Sequence, residues 1–351
     1  MRHFNHKTRI GLFGIFAVAC ALVAPVAHAT TQWALGVGAQ SYDAAHQAMA
    51  FLPNEVWISE GDSITWTTYA GEGHTVTFLL PTEPRPIFPA GPAVTPSPAT
   101  FDGTSTYGDV NSGTMCDGSR QQVDECDTPT PGLKTFTVKF PKAGNYVLVC
   151  LIHADMTGTV HVLAKGTPLP HTQGYYTALA FSQAHDVLHE DGTPFSEIFT
   201  PLADARHEVV TPGEVTATGG GKQYEVLMRF LPSKIYIHKG DTVEWTNTNP
   251  VESHTVTFVG PGGVEPGFPG VLGLVGGTLD ADAAGHGTIS DPKSAYVYSD
   301  FIQSAPQYQG GQAQQLPHLR TRVTFTTAGT YDYFCALHDE LGMKGTVVVL
   351  P

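Results

Sequence analysis

FLPNEVWISEGDSITW, Phe51–Trp66, and FLPSKIYIHKGDTVEW, Phe230–Trp245, are two versions of one segment set 179 residues apart. Apolar side chains alternate along both, with Val56, Ile58, Ile64 and Trp66 in the first answered by Ile235, Ile237, Val243 and Trp245 in the second. A period of two marks a strand buried on one face, and the Gly-Asp pair in the middle supplies a tight connection between two such strands. The likeness continues outward. His74-Thr75-Val76-Thr77-Phe78 matches His254-Thr255-Val256-Thr257-Phe258. Phe136-Thr137-Val138 leads through Ala143-Gly144 to Cys150 as Val323-Thr324-Phe325 leads through Ala328-Gly329 to Cys335, and both copies finish on Gly-Thr-Val. An ordered series of similar segments indicates duplication, and short alternating strands with turn signals predict an all-β chain of two Greek-key sandwiches in tandem.

Length and composition agree with this. The 351 residues suit two domains of ordinary size, and 38 Gly and 26 Pro punctuate a chain with only 14% charged residues. The expected division is a leader at 1–29, a first domain at 30–165, a linker at 166–212 and a second domain at 213–351. Each copy carries a long insertion rich in Gly and Pro, at about 80–132 and 260–318, where ordered loop with local strands is expected. The linker predicts a short helix from about Tyr175 to Leu188, ended by Gly192 and Pro194. His185 and His189 stand four apart on it, but no zinc-protease carboxylate joins them, so the reading is a solvated helical face.

The leader has Arg2, Lys7 and Arg9 ahead of an apolar run, then Ala27-His28-Ala29 before Thr30. This is the pattern of a secretory signal peptide cleaved near Ala29-Thr30, with no transmembrane segment left in the mature chain, and it implies a periplasmic or extracellular location. Losing those three basic residues takes the formal charge from −14 to −17. So acidic a chain excludes nucleic acid as a partner and favours a basic one. Of the four cysteines outside the leader, Cys116 and Cys126 lie in a loop dense in Asp and Gly, where an oxidising compartment favours a disulfide between them. Cys150 and Cys335 each end a strand-like run three residues before a His, which calls for a different explanation.

His74 precedes Cys150, His153 and Met156, and His254 precedes Cys335, His338 and Met343, in the same order in both copies. Taken singly, each is an ordinary surface His, buried Cys or filler Met. Two imidazoles, a thiolate and a thioether together form the ligand set of a type 1 copper site, trigonal with a weak axial sulfur. A strand ending in Cys, followed by a tight loop bearing His and Met, delivers three ligands from one corner of a sandwich, and the upstream His comes from a neighbouring strand end. Two copper ions, one per domain, are expected. Thr75 and Thr255, next to the upstream ligands, are candidates to tie the two ligand segments together through their hydroxyls.

The motifs C-x-x-H-x-x-M at Cys150–Met156 and C-x-x-H-x4-M at Cys335–Met343 resemble those of the plastocyanin, amicyanin and pseudoazurin family of cupredoxins. That resemblance implies a blue copper electron carrier whose partner is a redox protein such as a c-type cytochrome or another copper protein. It also implies a second His near the surface in an apolar patch, which here would make Leu151, Ile152, Ala336 and Leu337 the docking residues. Ile152 and Leu337 stand where the family often has Pro. The alternatives are copper storage or delivery, and a multicopper oxidase or nitrite reductase. Such enzymes typically place His before the type 1 Cys, where this chain has Val149 and Phe334, and no His-x-His pair of the trinuclear-cluster kind is present.

Overall fold

The computed structural model describes residues 30–80, 82–83, 85, 94–104, 110–117, 134–153, 155–188, 207–249, 252–259, 286–289, 296–299, 302 and 320–351. The expected leader, Cys126 and His189 lie outside the described residues.

The first copy contributes β1 (Gln32–Gln40), β2 (His46–Leu52), β3 (Glu55–Ser59), β4 (Ser63–Thr68), β5 (Thr77–Phe78), β6 (Ala99–Thr100), β7 (Val110–Asn111), β8 (Thr135–Lys139), β9 (Gly144–Val149) and β10 (Thr157–Leu163). Helix α1 (Gln173–Val187) follows. The second copy contributes β11 (Glu208–Thr211), β12 (Gly213–Thr218), β13 (Gly221–Leu227), β14 (Lys234–His238), β15 (Thr242–Asn247), β16 (Thr257–Val259), β17 (His286–Ile289), β18 (Tyr296–Tyr298), β19 (Arg320–Phe325), β20 (Gly329–Phe334) and β21 (Lys344–Leu350). The chain is mostly β, as expected. Strands β6 and β7 belong to the first insertion, and β17 and β18 to the second.

The quoted repeat folds the same way twice. In the first copy β3 pairs in parallel with β10, Val56 opposite Val160, and β4 pairs antiparallel with β8, Trp66 opposite Phe136. In the second, β14 pairs with β21 and β15 with β19 in the same senses. Gly61 and Gly240 take φ of 96° and 98°, a left-handed conformation that a Cβ resists, which is why the turn carries Gly in both copies. The following Asp closes the turn. Asp62 accepts from the Ser59 N–H at 2.9 Å, and Asp241 accepts from the His238 N–H at 2.8 Å. Inside each sandwich a buried Trp meets a buried Phe at 5.8 Å between ring centroids, Trp66 with Phe78 and Trp245 with Phe258. Burying each such ring contributes about 1.5–3 kcal/mol.

The two copies share a sheet. A seven-stranded sheet runs β12-β13-β2-β1-β4-β8-β6, and its junction is the antiparallel pair β2 and β13. There Gln47 faces Val226, its own counterpart at the 179-residue offset, while Ala48 faces Glu225 and His46 faces Leu227. The offset exchanges these last two pairs, so the junction is self-complementary, the arrangement of a two-fold dimer interface built within one chain. Strand β11 falls within the stretch expected as a linker. It pairs with β15 as β1 pairs with β4, and Pro212 separates it from β12.

Helix α1 starts two residues before the expected position. Thr172 caps it by accepting from the Tyr175 N–H at 3.3 Å. It is docked on the first sandwich: Tyr176 is fully buried, its hydroxyl donating to the Trp57 carbonyl at 2.9 Å and accepting from the Trp57 N–H at 2.8 Å. Among the described residues, no helix is long and apolar enough to cross a membrane.

Candidate metal centres

The antiparallel pairs β9–β10 and β20–β21 are each joined by a loop beginning at Cys and ending at Met. Cys150 N–H donates to the Met156 carbonyl, and Cys335 N–H to the Met343 carbonyl, both at 3.0 Å. The shorter first loop turns through Asp155 at φ 58°, and the longer second one through a 3-10 turn at Asp339–Leu341 followed by Gly342 at φ 84°. Each upstream His is fixed by a reciprocal backbone pair, His74 with Met115 and His254 with Ile302.

These segments converge. His74 Nδ1 lies 3.1 Å from His153 Nδ1, which is 3.5 Å from Cys150 Sγ. In the second copy the His254 and His338 Nδ1 atoms are 3.2 Å apart, and Cys335 Sγ is 3.4 Å from the His338 nitrogen and 3.9 Å from the His254 nitrogen. The donor atoms of each triad all lie within 4.8 Å of one another, and all six side chains are buried, as are Met156 and Met343. Two imidazole nitrogens and one sulfur, soft donors facing a single point, fit copper. The triads therefore bring together His74, Cys150 and His153, and His254, Cys335 and His338, with each Met closing the same loop.

The two Thr side chains do tie the segments together. Leu151 N–H donates to Thr75 Oγ1 and Ala336 N–H to Thr255 Oγ1, both at 2.7 Å. The Thr75 and Thr255 backbone N–H groups point at Cys150 Sγ and Cys335 Sγ from 3.4 and 3.3 Å. Burial lowers the pKa of both upstream His residues and pushes the Cys335 thiol up to about 12. Burial also raises the Cys150 thiol, but the charge and hydrogen bond of His153 outweigh it and hold the thiol well below its ordinary value.

The expectation that the second His opens to the surface is overturned. His153 is 1% exposed and His338 2%, Leu151 and Ala336 are buried, and Ile152 and Leu337 pack against the core. The pseudo-two-fold junction turns the ligand-bearing ends of the sandwiches toward each other, so each covers what would be the other's docking face. Between them stand two carboxylates. His153 Nε2 lies 3.4 Å from Glu252 Oε2 and 3.8 Å from Glu72 Oε1, and His338 Nε2 lies 3.8 Å from Glu72 Oε2 and 3.7 Å from Glu252 Oε1. Glu72 is 2% exposed and Glu252 7%. Burial pushes the Glu252 carboxyl up to about 8. Burying a carboxylate costs on the order of several kcal/mol unless it is paired, and the outer nitrogens of both rings offset that cost only in part for Glu252. When a metal takes the place of the Nδ1 proton, a proton held on the outer nitrogen keeps the ring in the tautomer that ligation requires.

Sequence reasoning missed four residues here. Glu72 and Glu252 each stand two positions before an upstream His, and that repetition at an offset of 180 was a readable signal. Arg85, inside the first insertion, donates through Nη2 to the Cys150 carbonyl and to the His153 carbonyl, the latter at 2.7 Å, and so braces the first ligand loop. Arg229 does the same for the second, donating to the Leu341 carbonyl at 2.5 Å while also reaching the Asp43 carbonyl of the first copy at 3.2 Å. Neither arginine lies in a repeated motif. Cys116 is buried beside the His74 bridge partner Met115, and the expected disulfide rests on Cys126, outside the described residues.

The family model for copper binding proteins, plastocyanin/azurin family, matches residues 39–163 and 214–350. A plastocyanin of Scenedesmus fuscus is 28% identical over 120 residues, which is 34% of this chain and 85% of that protein. Among solved structures, a reduced amicyanin mutant is 21% identical with a TM-score of 0.22, covering 43% of this chain and 88% of its own. An oxidised amicyanin mutant is 24% identical with a TM-score of 0.20, covering 34% of this chain and 70% of its own.

Proposed function

This chain belongs to the plastocyanin/azurin family of copper binding proteins, and on that premise we propose that it is an exported electron carrier holding two mononuclear type 1 copper ions. His74, Cys150, His153 and Met156 hold one ion, and His254, Cys335, His338 and Met343 the other. The observation that carries this reading is the doubled triad of two Nδ1 atoms and one sulfur at nearly equal distances in both copies. When bound, copper supplies a one-electron Cu(I)/Cu(II) couple.

The protein's own part is to hold the donors still and tune them. Thr75 and Thr255 lock the upstream-His strand to the Cys loop, so the donor set stays in place whichever charge it surrounds. Their N–H groups aimed at sulfur stabilise thiolate charge, a contact that raises the potential of such a site. The dissimilar loops suit unequal potentials in the two halves.

In this reading the leader is removed near Ala29-Thr30, domains at 30–165 and 213–351 act in an oxidising compartment, and Cys116 and Cys126 form a disulfide there. The partner is a redox protein with a basic face, such as a c-type cytochrome or another copper protein. The test is metal quantification with an absorption spectrum on the mature chain. The proposal requires two coppers per chain, an intense blue copper–thiolate band and reversible bleaching on reduction. Zinc at both sites, or colourless copper, contradicts it.

A further inference from the structure

We propose that Glu72 and Glu252 form a shared carboxylate clasp that joins the two metal centres into one internally coupled pair, so that an electron accepted in one half passes to the other within the protein. This rests on the reading of both triads as copper sites.

Each carboxylate reaches both outer ring nitrogens, at 3.4 to 3.8 Å, so neither belongs to one centre alone. A brace serving a single half would contact only its own His. The pseudo-two-fold junction accounts for the sharing: Glu72 and Glu252 occupy equivalent places, and the shared sheet across β2 and β13 holds the two ends in register. Further ties cross the same junction. Lys222 Nζ meets Asp155 Oδ1 at 3.1 Å beside the first ligand loop, and Arg229 joins the Asp43 turn to the second. The outer edges of His153 and His338 are thereby buried from an external protein, and both face the clasp.

The exchange balances without a co-reactant: one centre is oxidised by one electron, the other is reduced by one, and no bond or proton need move. A partner then delivers or removes electrons elsewhere on the surface, and the chain serves as a two-electron store with internal equilibration.

The test uses the full mature chain loaded with one and with two equivalents of Cu(II). Electron paramagnetic resonance of the doubly loaded protein is expected to show spin–spin broadening or a half-field signal absent at one equivalent. A two-equivalent spectrum equal to twice the first overturns the facing arrangement. Flash reduction of one centre then reads the internal transfer rate. At saturating copper, the Glu72→Leu/Glu252→Leu protein is expected to retain the spin coupling yet slow that transfer by about tenfold, the order of loss that follows removal of partners of metal-bound His. Glu72→Gln/Glu252→Gln, which keeps an acceptor oxygen, restores the rate. An unchanged rate in the leucine protein overturns the clasp, as does a glutamine protein as slow as the leucine one. Absence of any blue site at either loading instead defeats the copper reading beneath it.

Discussion

The two ligand loops differ by two residues in length, yet both close with the same Cys-to-Met hydrogen bond and present the same triad. Cys150–Met156 makes the turn with Asp155 in a left-handed conformation, and Cys335–Met343 uses a 3-10 turn and Gly342. What they share is the frame: a strand pair beneath, a Thr hydroxyl on the residue after Cys, and an Arg on the loop's carbonyls. The donor geometry is therefore set by the frame, and loop length is left free to vary.

The most severe way to break this comparison is to remove one thiolate. Cys150→Ala is expected to abolish the blue site of the first half and leave the second intact, halving copper content and visible absorbance, and Cys335→Ala should do the converse. Loss of both sites from either substitution, read by metal quantification, would mean the halves are not independently framed.

A smaller effect sharpens the same point. Thr75→Val and Thr255→Val each leave a buried N–H of the ligand loop without its acceptor, which costs about 1–3 kcal/mol. Equal losses in denaturant unfolding of the two variants are expected, because the two bonds have equal length. A large difference between them would show that loop length matters to the frame after all.

The Gly-Asp turns are less alike than their sequences. Asp62 is buried and accepts from Thr31 N–H, Ser59 N–H and Trp33 Nε1, whereas Asp241 is partly exposed and accepts from the His238 N–H. Asp62→Ala is expected to cost about 2–3 kcal/mol and Asp241→Ala about 1, by the count of charge-assisted bonds lost. Thermal unfolding of the two variants checks the order.

Much of this was legible beforehand. Alternation around Gly-Asp announced the sandwiches, and the repeated order of His, Cys and His announced the two triads, because both copies carry these residues at matching places in matching segments. How the two copies pack was not legible. An offset of 179 residues is compatible with any arrangement of two domains, and only the exposed edge of β2 meeting that of β13 decides it. The expectation of an open docking His failed for that reason: it treated each half as if it stood alone. Arg85 was hidden in an insertion with no repeat to point it out. Glu72 and Glu252 were visible in principle, but a carboxylate near a ligand means little until the other copy is seen to share it.

The weakest contribution lies at the junction itself. His46 Nδ1 meets the buried Glu225 at 2.5 Å, with Asp43 and Arg229 nearby, and the Glu225 hydrogen bond raises the His46 pKa. The raised value means the contribution is full below the unfolded-state pKa of about 6.5 and is lost as pH rises through the folded one. Since His46 is partly exposed, the effect is at most about 1 kcal/mol. The stability difference between the native protein and His46→Ala is expected to shrink from about pH 6 to 8; a difference that grows would reverse the sign.

Anomalous diffraction at the copper edge from crystals of the loaded protein addresses the central claim most directly. Two peaks are predicted, one between the Nδ1 atoms and sulfur of each triad, with Glu72 and Glu252 lying between them. A single peak, a peak among the carboxylates, or two peaks on outward faces of the molecule would contradict the account.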